Sequence, residues 1–255
     1  MKLLKSFIRI VLSVYFIFAI VLFVFQRNFL YYPTAKVIHD HEVQQYGVGE
    51  NVLDVVVLNQ GNENAIIYFG GNAESVVNNA KSFSQIFINH TVYLVNYRGY
   101  GGSTGKPTEK NLYSDAHYLY DVFSKQHNQI SVIGRSLGTG VATFLASTRA
   151  IYKMVLITPY DSIQNIAQSR YPVYPISLML KDKFDSASRI KDISASTLVI
   201  LAEYDAVIPL KNSQQLIEKF PASQVQVETV NGDGHNNLSG NARYYYLLQQ
   251  FMGPS

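Results

Sequence analysis

Residues 130–140 read ISVIGRSLGTG, and this stretch decides the fold. Ile130–Gly134 is a short apolar run, the pattern of a strand buried on both faces. From Leu137 to Thr148 the pattern turns helical. Between them stands Gly134-Arg135-Ser136-Leu137-Gly138, a G-x-S-x-G motif with a strand before it and a helix after it. That context sets Ser136 on a sharp strand-to-helix turn. The glycines two residues to either side let the backbone fold tightly and approach its neighbours. The first amides of the helix, at its positive dipole end, face charge that develops beside the serine.

Working outward, short β-rich runs alternate with longer helical patterns. The other strand candidates are Val52–Leu58, Ala65–Phe69, Val92–Tyr97, Met154–Thr158, Leu198–Glu203 and Val225–Val230. Helices are predicted over about 73–88, 109–127, 210–220 and 239–251. Strands alternating with helices mean parallel strands joined by crossovers. With the serine turn at its centre, the pattern predicts an α/β-hydrolase fold: a mostly parallel sheet of about seven to eight strands flanked by helices. The stretch 161–193 breaks the rhythm with SRYPVYPISLMLKDKFD and predicts a small lid-like insertion.

A serine nucleophile needs a base and an acid, and in this fold they follow it in the order Asp or Glu, then His. Of the six histidines only His235 comes after Ser136, in the glycine-rich loop Asn231-Gly232-Asp233-Gly234-His235. Asp205 directly follows the strand run TLVILAE and is the expected acid. Its rivals are Glu203, Asp233, and the insertion's Asp182, Asp185 and Asp192. One oxyanion-hole amide is expected from Leu137, the residue after the nucleophile. The other is expected from the loop Gly70-Gly71-Asn72-Ala73, with Asn72 as first candidate and Gly71 as alternative. Asn72 would also serve as a helix N-cap. Such chemistry calls for no cofactor and no metal. The glycines of Asn96–Ser103 lack the dinucleotide-binding spacing and read as a tight structural loop, with Arg98 as a structural hydrogen-bonding residue.

The N-terminus carries a different signal. Ile10–Phe25 reads IVLSVYFIFAIVLFVF without a charge. Sixteen helical residues extend about 24 Å, against a bilayer core of about 30 Å. Phe7 and Ile8 lengthen the stretch if Arg9 snorkels. No small-residue cleavage pattern follows it, which favours an uncleaved transmembrane anchor over a signal peptide. The expected organisation is an anchor over 1–30 and a hydrolase domain over 31–255. Lys2, Lys5 and Arg9 outweigh Arg27 and Lys36, which leaves the N-terminus cytoplasmic and exports the domain, to the periplasm in a bacterial cell. The net charge is +3, and no basic stripe points to nucleic acid: Lys181-Asp182-Lys183 alternates in sign and reads as a solvated face. The absence of cysteine excludes disulfides, zinc–thiolate sites and a cysteine nucleophile.

Several blocks taken in order carry a family resemblance: FLYYPT (29–34), YFGGNAE (68–74), NYRGYGGSTGKPTE (96–109), GRSLGTG (134–140), LMLKDKFDS (178–186), EYDAVIP (203–209) and GDGHNNL (232–238). With the N-terminal anchor, they resemble the membrane-anchored α/β-hydrolase-domain proteins of the bud-emergence type, which are related to animal protein depalmitoylases. The resemblance implies a Ser-Asp-His triad on Ser136, Asp205 and His235. The chain departs from that family at Gly70, where the family usually has a histidine, and at Leu201-Ala202, where it usually has His-Gly. The expected substrate is an acyl ester or thioester met at a lipid bilayer. A serine peptidase of the same fold and a non-catalytic membrane-tethered binding protein are the alternatives.

Overall fold

A computed structural model describes residues 1–253. Pro254 and Ser255, the end of the expected 31–255 domain, lie outside the described residues. The chain opens with the long helix α1 (Lys2–Leu30). Eight strands follow: β1 (Val43–Val48), β2 (Asn51–Leu58), β3 (Asn64–Phe69), β4 (His90–Val95), β5 (Gln129–Arg135), β6 (Lys153–Ile157), β7 (Ser196–Tyr204) and β8 (Val225–Gly234). They form one sheet in the order β1-β2-β4-β3-β5-β6-β7-β8. β2 runs antiparallel to both β1 and β4, and every pairing from β4 onward is parallel. All seven strand runs read from the sequence lie in this sheet. β1 was not among them: its residues VQQYGV are largely polar, and it sits on the sheet edge where one-sided burial suffices.

Helices cover both faces. α2 (Ala80–Ile86) and α8 (Ala242–Met252) pack on one face; α3 (Glu109–Phe123) and α4 (Leu137–Thr148) pack on the other. The strand alternation is visible in β3. Ala65, Ile67 and Phe69 join the core under α3 and α4, whereas Ile66 and Tyr68 join the core under α2 and α8. Each apolar side chain removed from water contributes roughly 1.5–3 kcal/mol, which is why the central strands read as unbroken apolar runs.

Two helices differ from expectation. The predicted 73–88 helix is a 3-10 turn over Val76–Asn79 followed by the short α2. Ala73 has φ of 59° and Glu74 folds back onto Gly71, so no helix begins at Asn72. The 109–127 helix stops at Phe123. The irregular stretch holds α5 (Ile163–Arg170), α6 (Ile176–Met179) and a 3-10 turn over Ala187–Asp192. Glu109 ties this stretch to the head of α3 by accepting hydrogen bonds from the amides of Lys183 (2.7 Å) and Phe184 (3.0 Å). α7 (Leu210–Ile217) links β7 to β8.

Candidate active site

Ser136 joins β5 to α4 with φ 48° and ψ −114°, a region that non-glycine residues occupy only under constraint. The constraint comes from packing. Gly138 lies so close to the carbonyl of Phe69 on β3 that any Cβ would collide with it. A serine at a helix N-cap ordinarily turns its hydroxyl onto the helix amides. Ser136 makes no such bond; its Oγ lies 2.9 Å from His235 Nε2.

His235 follows β8, and its Nδ1 lies 2.8 Å from Asp205 Oδ2. The other carboxylate oxygen, Oδ1, accepts from the amides of Val207 (2.9 Å) and Ile208 (2.8 Å). Burial pushes the Asp205 carboxyl up, but the bonds from His235 and these two amides outweigh it and hold the carboxyl below the usual range. An ionised carboxylate only accepts, so His235 Nδ1 must carry the proton toward it. In the neutral imidazole Nε2 is then bare and can accept the Ser136 hydroxyl proton. Both Ser136 and His235 are buried.

The structure thus brings Ser136, His235 and Asp205 into one hydrogen-bonded line, and the rival acids are elsewhere. Glu203 accepts from the amide of Gly232 and braces the histidine loop. Asp233 accepts from Asn241, Asp182 pairs with Arg27, Asp185 accepts from the amide of Ser188, and Asp192 is exposed.

The two oxyanion candidates separate as well. The amide of Gly71 donates to Glu74 Oε2 at 2.5 Å, so it is already engaged. Asn72 and Leu137 line the same cavity as Ser136, and the amide of Asn72 has no partner among the described residues. The Asn72 side chain does not cap a helix. Its Nδ2 donates to the Leu30 carbonyl (2.8 Å), and its Oδ1 accepts from the Tyr32 amide (2.9 Å) and the Tyr100 hydroxyl (2.7 Å).

Two neighbouring residues escaped the sequence reading. Glu74 accepts from Tyr68 Oη (2.6 Å) and Asn79 Nδ2 (2.6 Å) as well as Gly71, and so fixes the loop that carries Asn72. Arg135 donates from Nη2 to the His235 carbonyl at 3.2 Å and faces Glu74 at 3.8 Å. The one available signal was their position inside the YFGGNAE and GRSLGTG blocks. Arg98 makes a structural pair as expected, reaching Asp115 with Nε (2.8 Å) and Nη2 (2.6 Å). Gly70 has no room for the histidine that the resembling family carries: a Cβ there would lie 2.7 Å from Val76 Cγ1.

Above Ser136 opens a cavity of about 430 Å³ with mostly apolar walls. Its walls come from α5 and α6 (Ile166, Ile176), from the residues after Asp205 (Ile208) and from the end of α1 (Leu22, Leu30). That size and lining suit a small organic or acyl group. Among the described residues α1 is the one helix long and apolar enough to cross a membrane.

Comparison with known proteins bears on the fold. No protein-family profile matches the chain. A protein of Mycobacterium tuberculosis described as uncharacterized is 34% identical over 151 residues, 58% of this chain and 53% of that protein. An alpha/beta hydrolase domain-containing protein of Caenorhabditis elegans is 32% identical over 169 residues, 65% of this chain and 49% of that protein. The human alpha/beta hydrolase domain-containing protein 17C is 31% identical over 169 residues, 65% of this chain and 50% of that protein. The chain spans about half the length of the curated relatives it matches. Among solved structures, a serine hydrolase from Cycloclasticus zankles aligns with a TM-score of 0.66, 16% identity, and coverage of 83% of this chain and 98% of that chain. An esterase from Pyrococcus furiosus aligns with a TM-score of 0.64, 15% identity, and coverage of 87% and 96%. At such identities the likeness is one of fold, and the fold is the α/β-hydrolase fold.

Proposed function

We propose that this chain is a membrane-anchored serine hydrolase that cleaves carboxylic ester or thioester bonds of acyl substrates through an acyl-enzyme. The observation that carries the reading is the unbroken line from Ser136 Oγ through His235 to Asp205 at the floor of an apolar cavity. His235 Nε2 takes the hydroxyl proton as Ser136 Oγ attacks the acyl carbon. The amides of Leu137 and Asn72 receive the oxyanion, and α4 aims its positive end at the same point without an acidic residue in its first turn. His235 then returns the proton to the leaving oxygen or sulfur, and the C–O or C–S bond breaks. Water, deprotonated by His235, attacks the acyl-serine, the Ser136 Oγ–acyl bond breaks, His235 returns the proton to Oγ, and the carboxylic acid leaves. Asp205 holds the imidazole tautomer and stabilises the imidazolium.

The apolar walls favour an acyl chain over a polar substrate, and the resemblance to depalmitoylase-related proteins adds the thioester to the ester. α1 serves as the anchor, with the exposed Tyr32 following it at the membrane–water boundary, whereas Tyr31 is buried in the domain core against Phe184. The 161–193 stretch acts as the lid.

The test is turnover of p-nitrophenyl esters from acetate to palmitate, and of a palmitoyl thioester, by the detergent-solubilised full chain. Ser136→Ala is expected to lose on the order of 10⁴-fold or more in kcat. Equal turnover by Ser136→Ala, or none by the native chain on any acyl substrate, overturns the reading.

A further inference from the structure

The helix that anchors the chain does not stand apart from the domain. Its Tyr15–Arg27 part lies along residues 171–182. Tyr15 stacks on Tyr174 with ring centroids 4.7 Å apart, and Phe18 meets the same ring at 5.7 Å. Nearer the domain, Gln26 donates to the Met179 carbonyl (3.2 Å) and accepts from the Lys181 amide (2.7 Å), and Arg27 pairs with Asp182 at 2.8 Å. About 18 Å of helix separates Tyr15 from Arg27 at about 1.5 Å per residue. The segment therefore runs beside α1 well into the stretch that would lie in a bilayer.

Its composition matches that depth. Residues 171–180 carry no charge, and Arg170 and Lys181 bound them. α1 is likewise uncharged from Ile10 to Gln26, with Arg27 at its edge. The two segments change from charged to apolar at one level, with Lys181 over the Phe23 ring at 4.6 Å and Asp182 on Arg27. Val173 and Leu178 are strongly exposed, with 69% and 84% of their surface free.

Irregular backbone in hydrocarbon is costly unless its polar groups are paired. Here every carbonyl from Tyr171 to Pro175 accepts a hydrogen bond. Tyr15 Oη serves Val173 at 3.0 Å. Gln168 Nε2 serves Pro172 and Tyr174. The amides of Tyr174 and Leu178 serve Tyr171 and Pro175. Pro172 and Pro175 remove two donors outright. The Val173 amide is the one backbone donor of residues 171–175 without a partner among the described residues.

The cavity over Ser136 completes the picture. One of its walls is α1 itself, through Leu22, Gln26, Phe29 and Leu30. The Leu30 carbonyl at the helix end is held by Asn72, which also lines the cavity. We propose that α1 is a wall of the substrate site as well as an anchor, and that the site receives a long acyl chain laterally from the bilayer, between α1 and the 163–180 segment. This rests on Ser136 as the acyl-transfer nucleophile and names what that site takes: an acyl group already resident in a membrane.

The test has two arms. The first compares labelling rates of Ser136 by an ethyl and a hexadecyl fluorophosphonate in full-length chain held in phosphatidylcholine vesicles. Leu22→Trp fills the α1 wall. Val24→Trp puts the same bulk on an exposed position of α1 outside the cavity lining. The hexadecyl-to-ethyl ratio is expected to fall at least tenfold in Leu22→Trp and to stay at the native value in Val24→Trp. Equal ratios in the two variants overturn the proposed wall. Failure of the ethyl probe on the native chain overturns the nucleophile itself, and the wall with it. The second arm needs no chemistry. The chain has no tryptophan, so Val173→Trp is its sole tryptophan, excited apart from the tyrosines. In vesicles of acyl-brominated lipid its emission is expected to be blue-shifted and quenched, whereas Ile88→Trp, an exposed position two residues before β4, is expected to be unquenched. Val173→Trp emission indistinguishable from that of Ile88→Trp overturns the membrane seat of the segment and the lateral entry.

Discussion

At the scale of single residues, the site depends on what Ser136 does not do. Its hydroxyl forgoes the helix cap and faces His235, while its backbone stays at φ 48°. Holding a non-glycine residue in such a conformation costs on the order of 1–3 kcal/mol. Ser136→Gly and Ser136→Ala both remove the hydroxyl, but only glycine relieves the backbone. Ser136→Gly is expected to unfold about 1 kcal/mol later than Ser136→Ala in a urea titration. Asp205→Asn leaves the site's shape intact and frees the wrong imidazole tautomer, so kcat for a p-nitrophenyl ester is expected to drop about 10⁴-fold. The same substitution has a pH signature. The native Asp205 carboxyl lies below the usual range, whereas the unfolded one titrates near about 3.9. Its contribution is therefore fully present above the unfolded value and disappears as pH falls through the native one. The denaturation midpoint of the native chain is expected to fall over that acid window, and Asp205→Asn is expected to lack that part of the fall. Ser136 was legible because its motif and flanking elements are local. His235 was legible by elimination, being the one histidine after the serine. Arg135 was not, because its partner, the His235 carbonyl, lies 100 residues away, and Glu74 was not, because its bonds to Gly71, Tyr68 and Asn79 follow no helix or strand period.

At the scale of elements, the central strands could be read because burial on both faces leaves continuous apolar runs. Edge strand β1 and the turn at Ala73 escaped because no periodicity marks them; tertiary pairing and the Glu74 bond decide both. The tight loop Asn96–Ser103 illustrates how elements are locked. Arg98 leaves it to form a forked, largely buried pair with Asp115 on α3. Removing one member of such a pair strands the other charge and costs about 3–5 kcal/mol. Asp115→Ala is expected to lower the unfolding free energy by about that much in urea denaturation. A loss below about 1 kcal/mol, the range of exposed pairs, would mean that water reaches Arg98.

At the scale of the whole molecule, α1, the 161–193 stretch and the sheet meet in a single device: a helix suited to a bilayer, a cavity against its end, and Ser136 at the cavity floor. The sequence exposed the two ends of this device, the apolar run and the serine motif, because each is contiguous. Their meeting was hidden, since it depends on pairs such as Tyr15 with Val173 that stand 158 residues apart. The positive flank ahead of α1 gives an orientation that can be measured. The chain is cysteine-free, so Lys110→Cys, an exposed position on α3, offers a single thiol. A membrane-impermeant maleimide is expected to label it in intact spheroplasts; labelling only after lysis would reverse the orientation. The central claim is that Ser136 is an acyl-accepting nucleophile, and peptide mass mapping after fluorophosphonate treatment of the full chain tests it most directly. The expected result is one phosphonyl adduct on Ser136, absent in Ser136→Ala and strongly slowed in His235→Ala. No adduct on the folded native chain, or an adduct on another residue at an undiminished rate in Ser136→Ala, would contradict it.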